Sequence, residues 1–245
     1  MIAGLRNKKQ KNMDCKKTFG NHILLKLDAE NDHIKLKGGM TLYVDNTYEP
    51  EKHQTVTGEV CGLPSHLTYT GAPNQGMPWK TDMELQEGDK VICYYLAILN
   101  AFKPEQKRFF TKDNERFVFI PYQSIFVAIR GDQIMPINGY VLVEPCDDPF
   151  MENTKKRLQN IGLELVTLNT KSNTHVSFGK VKYLGKPNRE YCDEGNTDDG
   201  VNVKEGDTVV MRKVSDIPLQ YPLHQKLDKG VVYWRVQRRK ILATL

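Results

Sequence analysis

Gln86-Glu87-Gly88-Asp89-Lys90-Val91-Ile92 returns 118 residues later as Lys204-Glu205-Gly206-Asp207-Thr208-Val209-Val210. In each copy glycine supplies a positive φ, aspartate can bond its own backbone, and an apolar β-forming run follows. That pattern is a tight turn leading into a strand. The recurrence extends outward from it. Upstream, Gly58-Glu59-Val60 returns as Gly179-Lys180-Val181 after 121 residues, and Ile23-Leu24-Leu25-Lys26-Leu27 as Val141-Leu142-Val143-Glu144-Pro145 after 118. Downstream, Ile125-Phe126-Val127-Ala128-Ile129 returns as Ile241-Leu242-Ala243-Thr244-Leu245 after 116. Solenoid repeats recur every ~20–50 residues. Here the period is a whole small domain, so the chain reads as two copies of one fold, with a seam at Arg130-Gly131-Asp132-Gln133.

Around these blocks the apolar segments are short, rich in β-branched and aromatic residues, and separated by turn residues, which is an all-β pattern. Strands are expected near 22–28, 55–63, 90–97, 116–120 and 124–129, and again near 139–145, 176–184, 207–213, 231–237 and 240–244. Long segments without strand character fall at matching places in the two halves: 28–54 and 146–175, then 64–84 and 185–202. Loops of this length in compact domains are usually functional or disordered. The expected division is a basic arm over 1–18, a first domain over 19–131 and a second over 132–245.

Composition fits that reading. Of 245 residues 39% are hydrophobic and 27% charged, the balance of a globular chain with no membrane-length apolar run and no secretory leader. The net charge of +5 is partly concentrated in Arg6, Lys8, Lys9, Lys11, Lys16 and Lys17. Such an arm can bind nucleic acid. Because no aromatic residue interleaves before Phe19, the favoured reading is a solvated tail, without nucleic acid as a partner. Arg235, Arg238, Arg239 and Lys240 lie in a strand pattern and read as an outward face beside Trp234 and Val236. Five cysteines, an odd number with no CxxC, argue against a disulfide framework or zinc site and suit a reducing cytoplasm.

The ordered set of blocks resembles the small co-chaperonin family of GroES and its relatives. The first half carries an early strand Ile23–Leu27, then Lys37-Gly38-Gly39-Met40-Thr41-Leu42, then Thr57-Gly58-Glu59-Val60, the Gly88-Asp89 turn, and a closing Ile125–Ile129. The second half repeats the skeleton and ends in Lys240-Ile241-Leu242-Ala243. The resemblance implies two tandem, partly open GroES-like β-barrels with long loops, assembled into a homo-oligomeric ring. It also implies that a mobile loop docks on a GroEL-type chaperonin ring and caps its folding chamber. Carried over, the docking residues are Met40, Thr41 and Leu42, with Gly38 and Gly39 as the bend before them. The second loop offers Ile161, Gly162, Leu163 and Leu165, with Glu164 among them.

Each of these segments has a competing reading. Met40–Val44 also reads as an ordinary strand packed within the fold. Leu158, Ile161, Leu165 and Leu168 fall at helical spacing. Thr41 stands where the family usually has an aliphatic residue, which lowers the apolar burial expected on docking. Trp79, among prolines in the 64–84 loop, reads either as an interface anchor or as a lid on its own domain.

No catalytic constellation is visible, so no enzymatic activity and no cofactor are expected. The six histidines show neither HxxxH nor HExxH spacing, and no glycine-rich loop opens a helix. Glu194, Asp198 and Asp199 could gather a hard cation but lack an EF-hand frame. The alternative to a co-chaperonin is a structural or assembly protein, for example of a viral capsid, built on the same fold.

Overall fold

The computed structural model describes residues 17–28, 33–35, 39–43, 56–68, 82–161, 176–187, 202–212, 217–218, 227 and 231–245. The chain is mostly β, with two α-helices among the described residues. The first half contributes β1 (Lys17–Thr18), β2 (His22–Leu27), β3 (His33–Lys35), β4 (Thr41–Tyr43), β5 (Thr57–Pro64) and β6 (Lys90–Cys93). Helix α1 (Tyr95–Phe102) follows, then β7 (Phe109–Lys112), β8 (Glu115–Pro121), β9 (Ile125–Arg130) and β10 (Gln133–Pro136). Then come β11 (Tyr140–Cys146), α2 (Pro149–Asn160), β12 (Val176–Leu184), β13 (Thr208–Arg212), β14 (Ile217–Pro218), β15 (Trp234–Gln237) and β16 (Ile241–Thr244).

The duplication read from the sequence recurs in the sheet topology. The first sheet runs β10-β9-β6-β5-β2-β8-β7, with β1 added in parallel on β5; the second runs β14-β15-β11-β12-β13-β16. Reading inward from the closing strand, the order β9-β6-β5-β2-β8 matches β16-β13-β12-β11-β15. The irregularities match as well. A bulge between Leu24 and Leu25 has its counterpart between Leu142 and Val143, and one between Ile92 and Cys93 has its counterpart between Val210 and Met211. Neither sheet closes on itself among the described residues.

The Gly-Asp turn shows why the block was kept. Gly88 and Gly206 sit at φ +87° and +92°, a region L side chains enter only with strain. The Asp89 and Asp207 carboxylates each accept the backbone N–H three residues upstream, from Gln86 and Lys204, at 2.8 Å. The turn then clips onto the neighbouring strand: the Gly88 N–H donates to Val60 O, and the Gly206 N–H to Val181 O, both at 2.8 Å.

Each half packs its own core from equivalent positions. Ile23, Leu25, Val60, Val91, Ile120 and Ile125 are buried in the first, with Ile98 and Ala101 of α1 and the thiol-bearing Cys93 beside them. Val141, Val143, Val181, Val209, Val236 and Ile241 take the corresponding places in the second. A third cluster lies between the halves, where Ile92, Phe126 and Val127 meet Leu142 and Tyr233. Alternation along the strands makes this possible: Val91 and Cys93 face the first core while Ile92 faces the second half.

Several expectations are corrected. The strand expected over 90–97 stops at Cys93, and Tyr95–Phe102 is helical, packed against β8. The run Val91–Leu96 looks continuous in sequence, but the Tyr94 N–H turns to Ser124 O and ends the ladder. The basic cluster near the C-terminus is outward only in part: Arg239 is exposed, whereas Arg238 is buried and Arg235 half-buried. Arg238 is buried and donates to Gly185 O at 3.3 Å, and the Arg235 guanidinium lies 3.9 Å over the Phe126 ring between the halves. Burial lowers the Arg235 pKa from its ordinary value, opposed by Tyr140 and Tyr94. The expected plain turn at Arg130-Gly131-Asp132 is present: Gly131 and Asp132 are the two residues that return β10 antiparallel onto β9, so Gln133–Pro136 pair within the first sheet.

Candidate docking hairpin

The candidate docking residues sit on a β-ribbon that stands apart. Among the described residues β3 and β4 pair only with each other, in the register His33↔Tyr43, Ile34↔Leu42 and Lys35↔Thr41, and join neither main sheet. A lone two-stranded hairpin is marginally stable in water. The ribbon lies in the long connection between β2 and β5, both strands of the first sheet.

At the tip, Gly39 has φ +82° with open space where a Cβ would stand, so glycine is needed for backbone conformation and not for room. Met40 follows it and is 63% exposed. Thr41 and Leu42 are in β4, so the strand reading of this segment and its candidacy for docking describe one element. Gly38 lies outside the described residues. The tip thus presents a flexible thioether on a narrow ribbon, a side chain that adapts to irregular apolar grooves.

The second half places something different in the equivalent connection. Asp148 caps α2 by accepting the Phe150 N–H at 2.9 Å, and Pro149 opens the first turn, so the helix begins well before Leu158, where the apolar stripe that suggested one starts. Leu158 is in the helix. Ile161 is its C-cap, 69% exposed. Gly162, Leu163 and Leu165 lie outside the described residues, as do Leu168, Trp79, Glu194, Asp198 and Asp199.

Cys93 is buried, and burial pushes its thiol well above the ordinary range. Cys61 is half-buried, and its thiol is raised by the same cause. Among the described residues no three His, Cys, Asp or Glu side chains gather as metal ligands. No helix among them is long and apolar enough to cross a membrane.

The polar group that sequence reading missed is a buried network where the halves join. Glu84 accepts the Asn138 N–H at 2.9 Å and the Tyr122 hydroxyl at 3.3 Å. Asn138, at φ +57°, donates its amide to Tyr122 O and Ile125 O, while its own carbonyl accepts Gln237 Nε2 at 3.2 Å. Burial raises the Glu84 pKa from its usual carboxylate value. Asn138-Gly139 before a strand was the available signal, since asparagine tolerates the left-handed region.

No protein-family model matches the chain, and no curated protein matches it.

Proposed function

We propose that this chain is a tandem co-chaperonin-like protein that docks on a chaperonin ring through the ribbon tip at Gly39-Met40 and assists ATP-dependent folding by capping the chamber. The observation that carries this reading is the separate β3–β4 ribbon, set between β2 and β5 of the first sheet and ending in an exposed methionine. A small ribbon buries little area, so each contact is weak, and several copies acting together supply the avidity that reversible capping needs. The resemblance noted in the sequence gives the partner its class. The test is size-exclusion chromatography with a bacterial-type chaperonin, with and without ATP. Nucleotide-dependent co-elution is expected, and its absence at saturating chaperonin sinks the reading.

A second reading, a structural or assembly protein on the same fold, is favoured by the exposure of the C-terminal strand. Leu242 and Leu245 are 50% and 55% exposed. Recovery of the chain as a stoichiometric component of purified particles would decide for it.

A further inference from the structure

The outer face of the first sheet sets three phenylalanines between two cations at its β7 edge. Strand alternation sorts β7 and β8 into two faces. Val118 and Ile120 point into the first core. Phe117 and Phe119 therefore face outward, and so, through the register Phe110↔Phe117, does Phe110 on the edge strand. Phe110 stacks on Phe117 with ring centroids 5.0 Å apart and planes within 7°, and its centroid lies 6.1 Å from that of Phe119. All three rings are half-buried. The second half builds this place differently: Arg235 stands where Phe119 does, under the Phe126 ring of the first half.

The same alternation puts Arg108 and Lys112 on this face, each two residues and so about 7 Å from Phe110 along the strand. The Phe119 N–H donates to Arg108 O at 2.8 Å, which carries the ladder past the end of β7 and seats Arg108 beside Phe119. Glu115, opposite Lys112, is held by Lys26 at 2.5 Å, and among the described residues neither Arg108 nor Lys112 forms a salt bridge. The basic arm attaches at the same end of the sheet. Lys17–Thr18 runs beside Leu63–Pro64, Thr18 donates to His22 O, and His22 pairs with Pro121, two residues beyond Phe119. In sequence the arm reads as a solvated tail because no aromatic residue lies within it; the fold attaches it to the sheet that displays three.

We propose that this face binds single-stranded nucleic acid, its bases stacking on Phe110, Phe117 and Phe119 and its phosphates meeting Arg108, Lys112 and the basic arm. Cations and rings alternating along one edge strand match a polyanion that carries a flat apolar group on every unit. Aromatic rings stack on any unpaired base, and a basic groove tracks the backbone, so such a site has little sequence preference. A duplex keeps its bases stacked on one another and offers these rings nothing. The face includes no residue of the β3–β4 ribbon, so failure here leaves the docking reading standing.

The test is fluorescence anisotropy of labelled oligothymidylate and oligouridylate of about 12 nucleotides, titrated with the untagged chain at low salt. Both probes should bind, since DNA and RNA strands share base planes and phosphates. Affinity should fall with salt by roughly 0.7 log units per log unit for each phosphate contacted, so Arg108→Ala should flatten the slope by about 0.7. Phe110→Ala should weaken binding about five- to a hundredfold at every salt concentration. Circular dichroism checks the fold, and Phe110→Leu, which keeps apolar bulk without a ring, replaces an alanine variant that does not fold. Met40→Glu should bind as wild type does. No anisotropy change at low salt overturns the proposal. Binding that folded Phe110 and Arg108 variants leave unchanged, the result expected if the arm alone held the probe, overturns it too. A second copy is the other candidate for this face. Light scattering that gives a multiple of 28.1 kDa for wild type and 28.1 kDa for Phe119→Glu, with no probe bound, assigns the face to that copy and overturns the proposal equally.

Discussion

Arg130 closes two guanidinium nitrogens on the carboxylate of Asp89, Nε to Oδ1 at 2.8 Å and Nη2 to Oδ2 at 2.7 Å. The pair ties the turn that enters β6 to the end of β9, and Nη2 also donates to Glu84 O at 3.2 Å. The Asp89 side chain is 2% exposed and that of Arg130 35%. Asp207 keeps the turn bond to the Lys204 N–H, and among the described residues no arginine is paired with it.

Asp89→Ala should therefore cost more than Asp207→Ala. Losing the turn bond costs about 1 kcal/mol in either half. Loss of the half-exposed ion pair, and of the hydrogen bonds it makes, adds roughly 1–2 kcal/mol in the first. Urea unfolding midpoints at constant slope measure both; equal losses would show that the arginine contributes nothing.

Gly88→Ala and Gly206→Ala should each destabilise by about 1–2 kcal/mol, since alanine must enter the left-handed region at both sites. A Cβ would meet nothing within 4 Å at either position, so the cost is conformational and should be nearly the same in the two halves. Thermal denaturation of the two variants makes the comparison.

Glu84 sets a pH dependence of known sign. Its folded pKa lies above the ordinary 4.5 because burial disfavours the charge. In the window between 4.5 and the folded value the native state holds the extra proton, so wild type loses stability as pH rises through it. Glu84→Gln does not titrate. The stability difference between wild type and variant should shift in favour of wild type as pH falls from neutral towards 4.5. A flat difference would place Glu84 outside the window.

Arg235→Ala removes the cation over Phe126 and the aliphatic stem that packs between the halves. A loss of roughly 1–2 kcal/mol is expected, from the ring interaction and from packing together. Its signature should be a broadened calorimetric transition, because the contact couples two domains that each have their own core. Arg239→Ala, on an exposed side chain, serves as the comparison.

Met40→Glu should weaken chaperonin co-elution at least tenfold, whereas Ile161→Glu should leave it unchanged. Circular dichroism of both variants should match wild type, since both side chains are exposed.

The strand skeleton was legible because it rests on period-two patterning and on glycines that only a turn explains; all ten expected strands have a counterpart. What escaped had more than one cause. Tyr95–Phe102 continues the apolar run of β6 without a break in hydrophobicity, which hid the good helix formers Leu96, Ala97, Leu99 and Ala101 within it. Arg235 looks like a surface residue until the second half closes on the first, and Arg238 until it reaches Gly185 O within its own half. The Asp148-Pro149 start of α2 carries an N-cap signal that lies outside the leucine stripe on which the helical reading rested. At the candidate site Gly39 and Met40 were readable as a turn and an apolar tip; the separation of their ribbon from both sheets was not, because pairing partners are set by the whole fold.

The hairpin joining β7 to β8 has a practical consequence. Lys112 pairs with Glu115, and the two residues between them, Asp113 and Asn114, both have positive φ, the tight turn that lets a strand reverse without leaving the sheet. An affinity tag appended after Leu245 would extend directly from the exposed β16. A tag inserted between Asp113 and Asn114 leaves both chain ends and the Met40 tip untouched, so handling the protein through that turn keeps its purification separate from its docking.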